Sequence, residues 1–142
     1  MVEQPVLVEA DRREFTTGPL RFFASLEECA AVLQPRVVLL SSVLPYVESP
    51  RELLAEIRAG AFDHVIIDRT GFVTRGRDRL TVQRVPPAIY EASYPCWFLD
   101  RESLLRDFAG GWSVRCEWTN PDEVDIDAEH RGMILERNRP CA

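Results

Sequence analysis

The sequence contains no lysine: all 17 of its Lys/Arg residues are arginine. That excludes, within this chain, a Walker-type phosphate lysine, a Schiff-base lysine and the ATP lysine of protein kinases. Cysteine is sparse and scattered. Cys29, Cys96, Cys116 and Cys141 form no CxxC or Cys/His grouping, so neither a zinc site nor a disulfide framework is indicated. No apolar run reaches the roughly 18 residues of a membrane span, and no secretory signal layout opens the chain. The expected location is therefore cytoplasmic, with no membrane partner. The two histidines, His64 and His130, show no triad or metal spacing and read as structural or exposed. GxSxG, HExxH and EF-hand patterns are missing. There is no excess of positive charge either: the net charge is −6, which argues against nucleic acid as a partner because phosphate neutralisation needs a basic face.

What is present is ordinary globular composition, 46% hydrophobic and 28% charged over 142 residues. One domain spanning 1–142 with a real core is expected. Residues 36–70, RVVLLSSVLPYVESPRELLAEIRAGAFDHVIIDRT, form the clearest unit: strand, loop, helix, strand, a complete βαβ element. The first strand, 36–42, is apolar on both faces, which suits a parallel strand covered on both sides. Ser49, Pro50 and Glu52 start the helix as cap, first helical residue and capping-box partner. Leu53, Leu54 and Ile57 supply its apolar stripe, and Gly60 ends it. No glycine-rich nucleotide turn precedes this unit.

Upstream, 1–5 reads as a strand end, 6–15 as a short helix and 20–24 as a short strand. Ser25 caps a helix over 26–33, with Glu28 as box partner, and Gln34–Pro35 closes it. Downstream, 71–98 reads as a long, aromatic-rich loop with a Pro86–Pro87 turn. Asp100 caps a helix over 101–109, ended by Gly110–Gly111. Strands at 113–118 and 132–136 follow, joined by an acidic loop (Asp122, Glu123, Asp125, Asp127). The sequence contains no internal repeat and no low-complexity tract.

In open α/β sheets, ligands bind beyond the carboxyl ends of the strands. Those ends present Glu3, Ser25, Ser41, Ser42, Asp68 and Arg69. A carboxylate such as Glu3, ending a strand, suits paired ribose hydroxyls, or else is a solvated residue near a chain end. The 41–46 stretch either faces a cofactor, with Tyr46 toward substrate, or packs as an ordinary loop. Arg69, Arg75, Arg77, Arg79 and Arg84 suit an anionic ligand or are simply solvated. Asp78 beside Arg79 suits a local ion pair. Asp68 either orients a substrate hydroxyl or acts as a base, or caps the following turn.

Taken together, VEQP (2–5), LRFFASLEE (20–28), SSVLPYVESP (41–50), IIDRT (66–70), DRLTVQ (78–83), VPPAIYEASYPCWF (85–98) and GMILER (132–137) resemble a bacterial family of class I S-adenosylmethionine-dependent methyltransferases. The resemblance spans nearly the whole chain and is most specific from Asp78 to Phe98. It implies an α/β, Rossmann-like methyltransferase sheet. On it, Glu3 matches the ribose acid and Ser25 the adenine-side position, while Ser41, Ser42 and Val43 lie beside the methionine moiety. Asp68, Arg69 and Tyr94 fall on the catalytic side, and Tyr46, Arg79, Gln83, Tyr90 and Trp97 border the substrate. The chain departs from the family in starting at the end of its second strand, without the first strand and glycine-rich turn. That departure implies an N-terminally truncated domain that binds cofactor weakly and exposes a sheet edge, inviting a homodimer.

The expected function is methyl transfer to a small molecule, anionic or sugar-like. A non-catalytic module pairing through the exposed edge is the alternative. A nucleotidyl- or glycosyl-transferase stands third, for want of a metal-binding acid cluster.

Overall fold

The computed structural model describes residues 1–138, so Cys141 lies outside the described residues. The chain divides into two compact units, Met1–Arg36 and Val37 onward.

The first unit holds helices α1 (Pro5–Phe15) and α2 (Leu26–Leu33). Met1–Glu3 runs parallel to Phe22–Ala24 through a single bridge, Val2 to Phe23, with Glu3 N donating to Phe23 O at 3.0 Å. The expected strands are thus reduced to bridges. The α2 cap forms as expected: Ser25 Oγ accepts from Glu28 N at 3.0 Å. Glu28 closes the motif one residue early, taking Ala24 N at 2.8 Å. That bond, reinforced by Arg12, holds the Glu28 carboxyl below its ordinary pKa. Val8, Phe22, Phe23 and Cys29 are buried.

The second unit is a mixed sheet with β1 (Val37–Ser41), β2 (His64–Val73), β3 (Arg79–Arg84), β4 (Ser93–Asp100), β5 (Trp112–Thr119) and β6 (Ala128–Arg137). Helix α3 (Pro50–Ala59) connects β1 to β2, and α4 (Arg101–Phe108) connects β4 to β5. Strand β2 is the axis. Its first half pairs in parallel with β1, its last residues in parallel with β4, and its other edge antiparallel with β6. β5 lies antiparallel on the far side of β6. Val65, Ile67, Leu99, Met133 and Leu135 from the strands join Leu54 and Ile57 of α3 and Leu104 and Phe108 of α4 in the core.

Four sequence expectations are corrected. Residues 71–98 are not a loop: β2 runs on to Val73, and β3 and β4 form an antiparallel hairpin. Here alternation was masked by Arg79, Gln83 and Arg84 on a largely exposed strand. β1 is not covered on both faces: Val37 is 48% and Leu39 60% exposed on one face while Leu40 is buried on the other, and among the described residues β1 pairs with β2 alone. Ser49 makes no side-chain cap, and α3 starts on Pro50 with backbone bonds to Ser49 O. Asp78 pairs not with Arg79 but with Arg51, in a two-pronged contact at 2.7 and 2.6 Å. Asp78 also takes Asp100 N at 2.6 Å. Burial works against the Asp78 charge, yet these hydrogen bonds hold its pKa below the ordinary value.

One cation secures the end of α3. Arg137 donates to Phe62 O at 2.7 Å, Arg58 O at 3.0 Å and Gly60 O at 2.6 Å, and lies 4.3 Å over the Trp112 ring. Arg58 O belongs to the last turn of α3 and Gly60 O to its cap, where a helix end leaves carbonyls without partners, and Phe62 O lies beyond the helix. Replacing Arg137 by leucine should cost about 1–3 kcal/mol, the range for leaving buried acceptors unpaired. Urea denaturation should show a lower midpoint at unchanged slope.

Candidate functional site

The carboxyl end of β1 abuts the middle of β2, with Ser41 opposite Asp68. Two non-glycine residues there adopt left-handed backbone, Ser42 (φ 54°) and Arg69 (φ 49°). Such conformations persist only where the surroundings hold them. Ser42 is held by its N–H, which donates to Asp68 O at 3.0 Å. Arg69 belongs to a bulge: Asp68 and Arg69 together oppose the single residue Gly132 on β6. A bulge re-aims side chains at a sheet's rim.

The Asp68 carboxylate collects three donors from separate elements. Ser41 Oγ reaches Oδ2 at 3.1 Å, Trp118 Nε1 reaches Oδ1 at 3.0 Å, and Asn120 Nδ2 reaches Oδ1 at 3.3 Å. Burial pushes the Asp68 pKa up, but the bonds from Asn120, Trp118, Ser41 and the Arg69 backbone together outweigh it and hold it below its ordinary value. A carboxylate so stabilised is a poor proton acceptor near neutrality; its geometry is that of a clamp.

Beyond this rim opens a cleft of about 820 Å³. Ser42, Tyr46, Arg69, Arg79 and Gln83 line it, together with Arg84, Cys96, Phe98 and His130. Asp122, Glu123 and Asp125 supply an acidic wall. Tyr46 sits on a 3-10 turn, Leu44–Tyr46, and meets the Tyr94 ring edge-on at 5.6 Å. Burial, followed by the neighbouring Cys96 and Tyr94, raises the Tyr46 pKa, so its hydroxyl stays protonated at neutral pH. Burial likewise raises that of Cys96. Arg69 and Asp122 join the two walls through an ion pair at 2.8 Å.

The fold thus gathers Ser41, Ser42, Asp68, Arg69, Tyr46, Arg79, Gln83 and Tyr94 around one rim. Val43 precedes the 3-10 turn next to them. Trp97 and Tyr90 are not among the cleft-lining residues; Trp97 alternates with Cys96 and Phe98 along β4, and Tyr90 lies exposed after β3. Glu3 and Ser25 are neighbours within the first unit, at the carboxyl ends of its two bridged segments. Glu3 Oε1 takes Gln4 N at 2.7 Å, and the Ser25 hydroxyl is already engaged as a helix cap.

Sequence reasoning missed Trp118, Asn120, Gly132 and His130. Gly132 carried a readable signal, since a lone glycine inside a strand marks a bulge or a close approach. A Cβ on Gly132 would stand 2.1 Å from the Trp118 ring. His130 packs 6.0 Å from Phe98, ring to ring. Asp125 and Asp127 have D-x-D spacing. Even so, among the described residues no three His, Cys, Asp or Glu gather to hold a metal.

Gly132→Ala should therefore destabilise the protein by roughly 1–3 kcal/mol through overpacking and free the Trp118 indole from Asp68. A shifted tryptophan emission spectrum together with a lower Tm checks this. Asp68→Asn should weaken the acid dependence of stability. A carboxyl with a lowered folded-state pKa stabilises the fold above its unfolded value and loses that contribution as pH falls through the folded value. Melting curves below about pH 4, the ordinary aspartate range, should differ less between variant and parent in acid than at neutrality.

No protein-family model and no curated protein matches the sequence. Solved structures do match. The glycopeptide N-methyltransferase MtfA with S-adenosyl-L-methionine superposes with a TM-score of 0.57 at 12% identity, covering 96% of this chain and 76% of MtfA. A second MtfA structure gives 0.50 at 12% identity, over 96% and 77%. The N-terminal domain of EvdMO1, with SAH and D-fucose, gives 0.44 at 19% identity over 72% of this chain, which spans only about half (47%) of that one. The chain has the Rossmann-like α/β fold of S-adenosylmethionine-dependent methyltransferases.

Proposed function

We propose that the protein is an S-adenosylmethionine-dependent methyltransferase acting on a small, anionic or sugar-like acceptor. The observation that carries this reading is the cleft beyond the carboxyl end of β1, where that strand meets the mid-strand bulge of the parallel β2, within a fold shared with a methyltransferase that binds that cofactor. This end of an α/β sheet is where ligands bind.

The residues fit the cofactor in kind. In the second unit, Ser41, Ser42 and Val43 present hydroxyls and backbone suited to a polar amino-acid tail. The bound cofactor supplies an electrophilic sulfonium methyl. The protein's part is then alignment, because holding a nucleophile in line with the methyl is the main source of acceleration in such a transfer. Arg69, Arg79 and Arg84 are suited to an anionic acceptor. Tyr46 and Tyr94 offer an aromatic surface with two phenol groups, and Gln83 a further donor. Asp68 acts on this reading as a positioning residue, fixing Ser42 and Arg69 at the rim.

A second reading, an interaction module, is favoured by one feature: an edge of β1 that pairs with no strand among the described residues, beside exposed Val37 and Leu39. An edge of that kind accepts an added strand.

Thermal unfolding with S-adenosylmethionine or its demethylated product separates the two. A ligand at 100 times its Kd adds about 2.7 kcal/mol, a plain rise in Tm. An unchanged Tm at millimolar cofactor, joined by a concentration-dependent dimer in sedimentation, favours the module instead.

A further inference from the structure

We propose that the Arg69–Asp122 ion pair is an exchangeable latch: an anionic group on the ligand takes Arg69 from Asp122, and the released carboxylate turns to a hydrogen-bond donor on the same ligand. The cleft would therefore select molecules carrying an anion near a hydroxyl or amine. This rests on the acceptor-cleft reading above only in naming the ligand as the acceptor.

Several observations converge. Both residues line the cleft, Arg69 from the bulge of β2 and Asp122 from the acidic loop between β5 and β6. Arg69 is 54% exposed in its side chain, and its guanidinium has one partner among the described residues, Asp122 Oδ1 at 2.8 Å. An exposed single pair of this kind contributes little to stability, so a bidentate anion competes with it readily. The other Asp122 oxygen, Oδ2, is buried and without a hydrogen-bond partner, as is Oδ1 of Asn120 two residues earlier. Buried acceptors left unpaired are costly, and the closed latch is the state that leaves Asp122 Oδ2 unpaired. Opening it uncovers that acceptor.

The surroundings bias the exchange. Arg79 and Arg84 stand in the same cleft with no ion pair among the described residues, so an anion drawn from Asp122 finds further guanidinium groups nearby. The backbone contributes as well. Arg69 lies in the bulge with left-handed φ, held through Asp68, so its side chain is aimed at the cleft from a fixed origin. The balance is one of hydrogen bonds alone: one carboxylate–guanidinium contact breaks, and one anion–guanidinium and one donor–carboxylate contact form.

Pyrophosphate is a suitable probe, titrated by calorimetry into the full chain and three variants. Arg69→Asn keeps a residue tolerant of left-handed backbone and should weaken binding roughly tenfold or more. Asp122→Asn removes the internal competitor and a like charge, and should tighten binding about threefold or more. Arg77→Gln, an exposed arginine that does not line the cleft, should change nothing. Melting curves establish that each variant is folded; should Arg69→Asn not fold, Asp122→Asn alone decides. Weaker or unchanged binding in folded Asp122→Asn, or no binding to the parent chain, overturns the latch. Cofactor-induced stabilisation measured on the same samples is independent: its absence beside intact anion exchange defeats the methyltransferase reading and leaves the latch standing.

Discussion

The hydrogen bonds converging on Asp68 hold the cleft end of the second unit together. β2 has β1 on one side and β6, then β5, on the other. Its carboxylate takes Ser41 from β1, Trp118 from β5 and Asn120 just beyond. Trp118 reaches across β6 only because residue 132 is a glycine. The same position hosts the bulge that turns Arg69 into the cleft. A backbone irregularity, a missing side chain and one anion therefore act as a unit. Removing any of them releases the other two.

Charge does at the periphery what hydrophobic contact does in the core. With no lysine available, every fixed cation is a planar guanidinium able to bind two partners at once. Arg51 ties α3 to Asp78 and Asp107. Arg101 grips Glu117 with a single nitrogen at 2.6 and 2.7 Å, and Arg137 closes α3. These arginines stiffen the frame behind the cleft, while Arg79 and Arg84 remain available in front of it.

The βαβ unit was legible because its signals were local: a run of β-branched residues, proline at the first turn of α3, and the apolar pair Leu54 and Ile57. The cap at Ser25 and that at Asp100, which takes Ser103 N at 3.1 Å, were legible for the same reason. The β3–β4 hairpin was not, since its strand Arg79–Arg84 is exposed at most positions and owes its order to pairing with β4. The rule of strand ends placed Ser41 and Ser42 where β1 closes, whereas Asp68 and Arg69, read as a strand end, lie in the middle of β2 at its bulge. The role of Asp68 was left open, because its partners Trp118 and Asn120 lie about fifty residues away in sequence. Long-range hydrogen bonds leave no periodic trace. The acidic loop was visible as composition, but its place opposite the arginines depends on tertiary structure.

The central claim is that ligand binding occurs at the rim built on Asp68. Heteronuclear NMR of the labelled chain, titrated with the demethylated cofactor, tests it most directly. The account predicts shifts concentrated in the amides of 41–46 and 68–70 and in the Trp118 indole N–H. Shifts confined to the outer face of the β3–β4 hairpin, or none at saturating ligand, would contradict it.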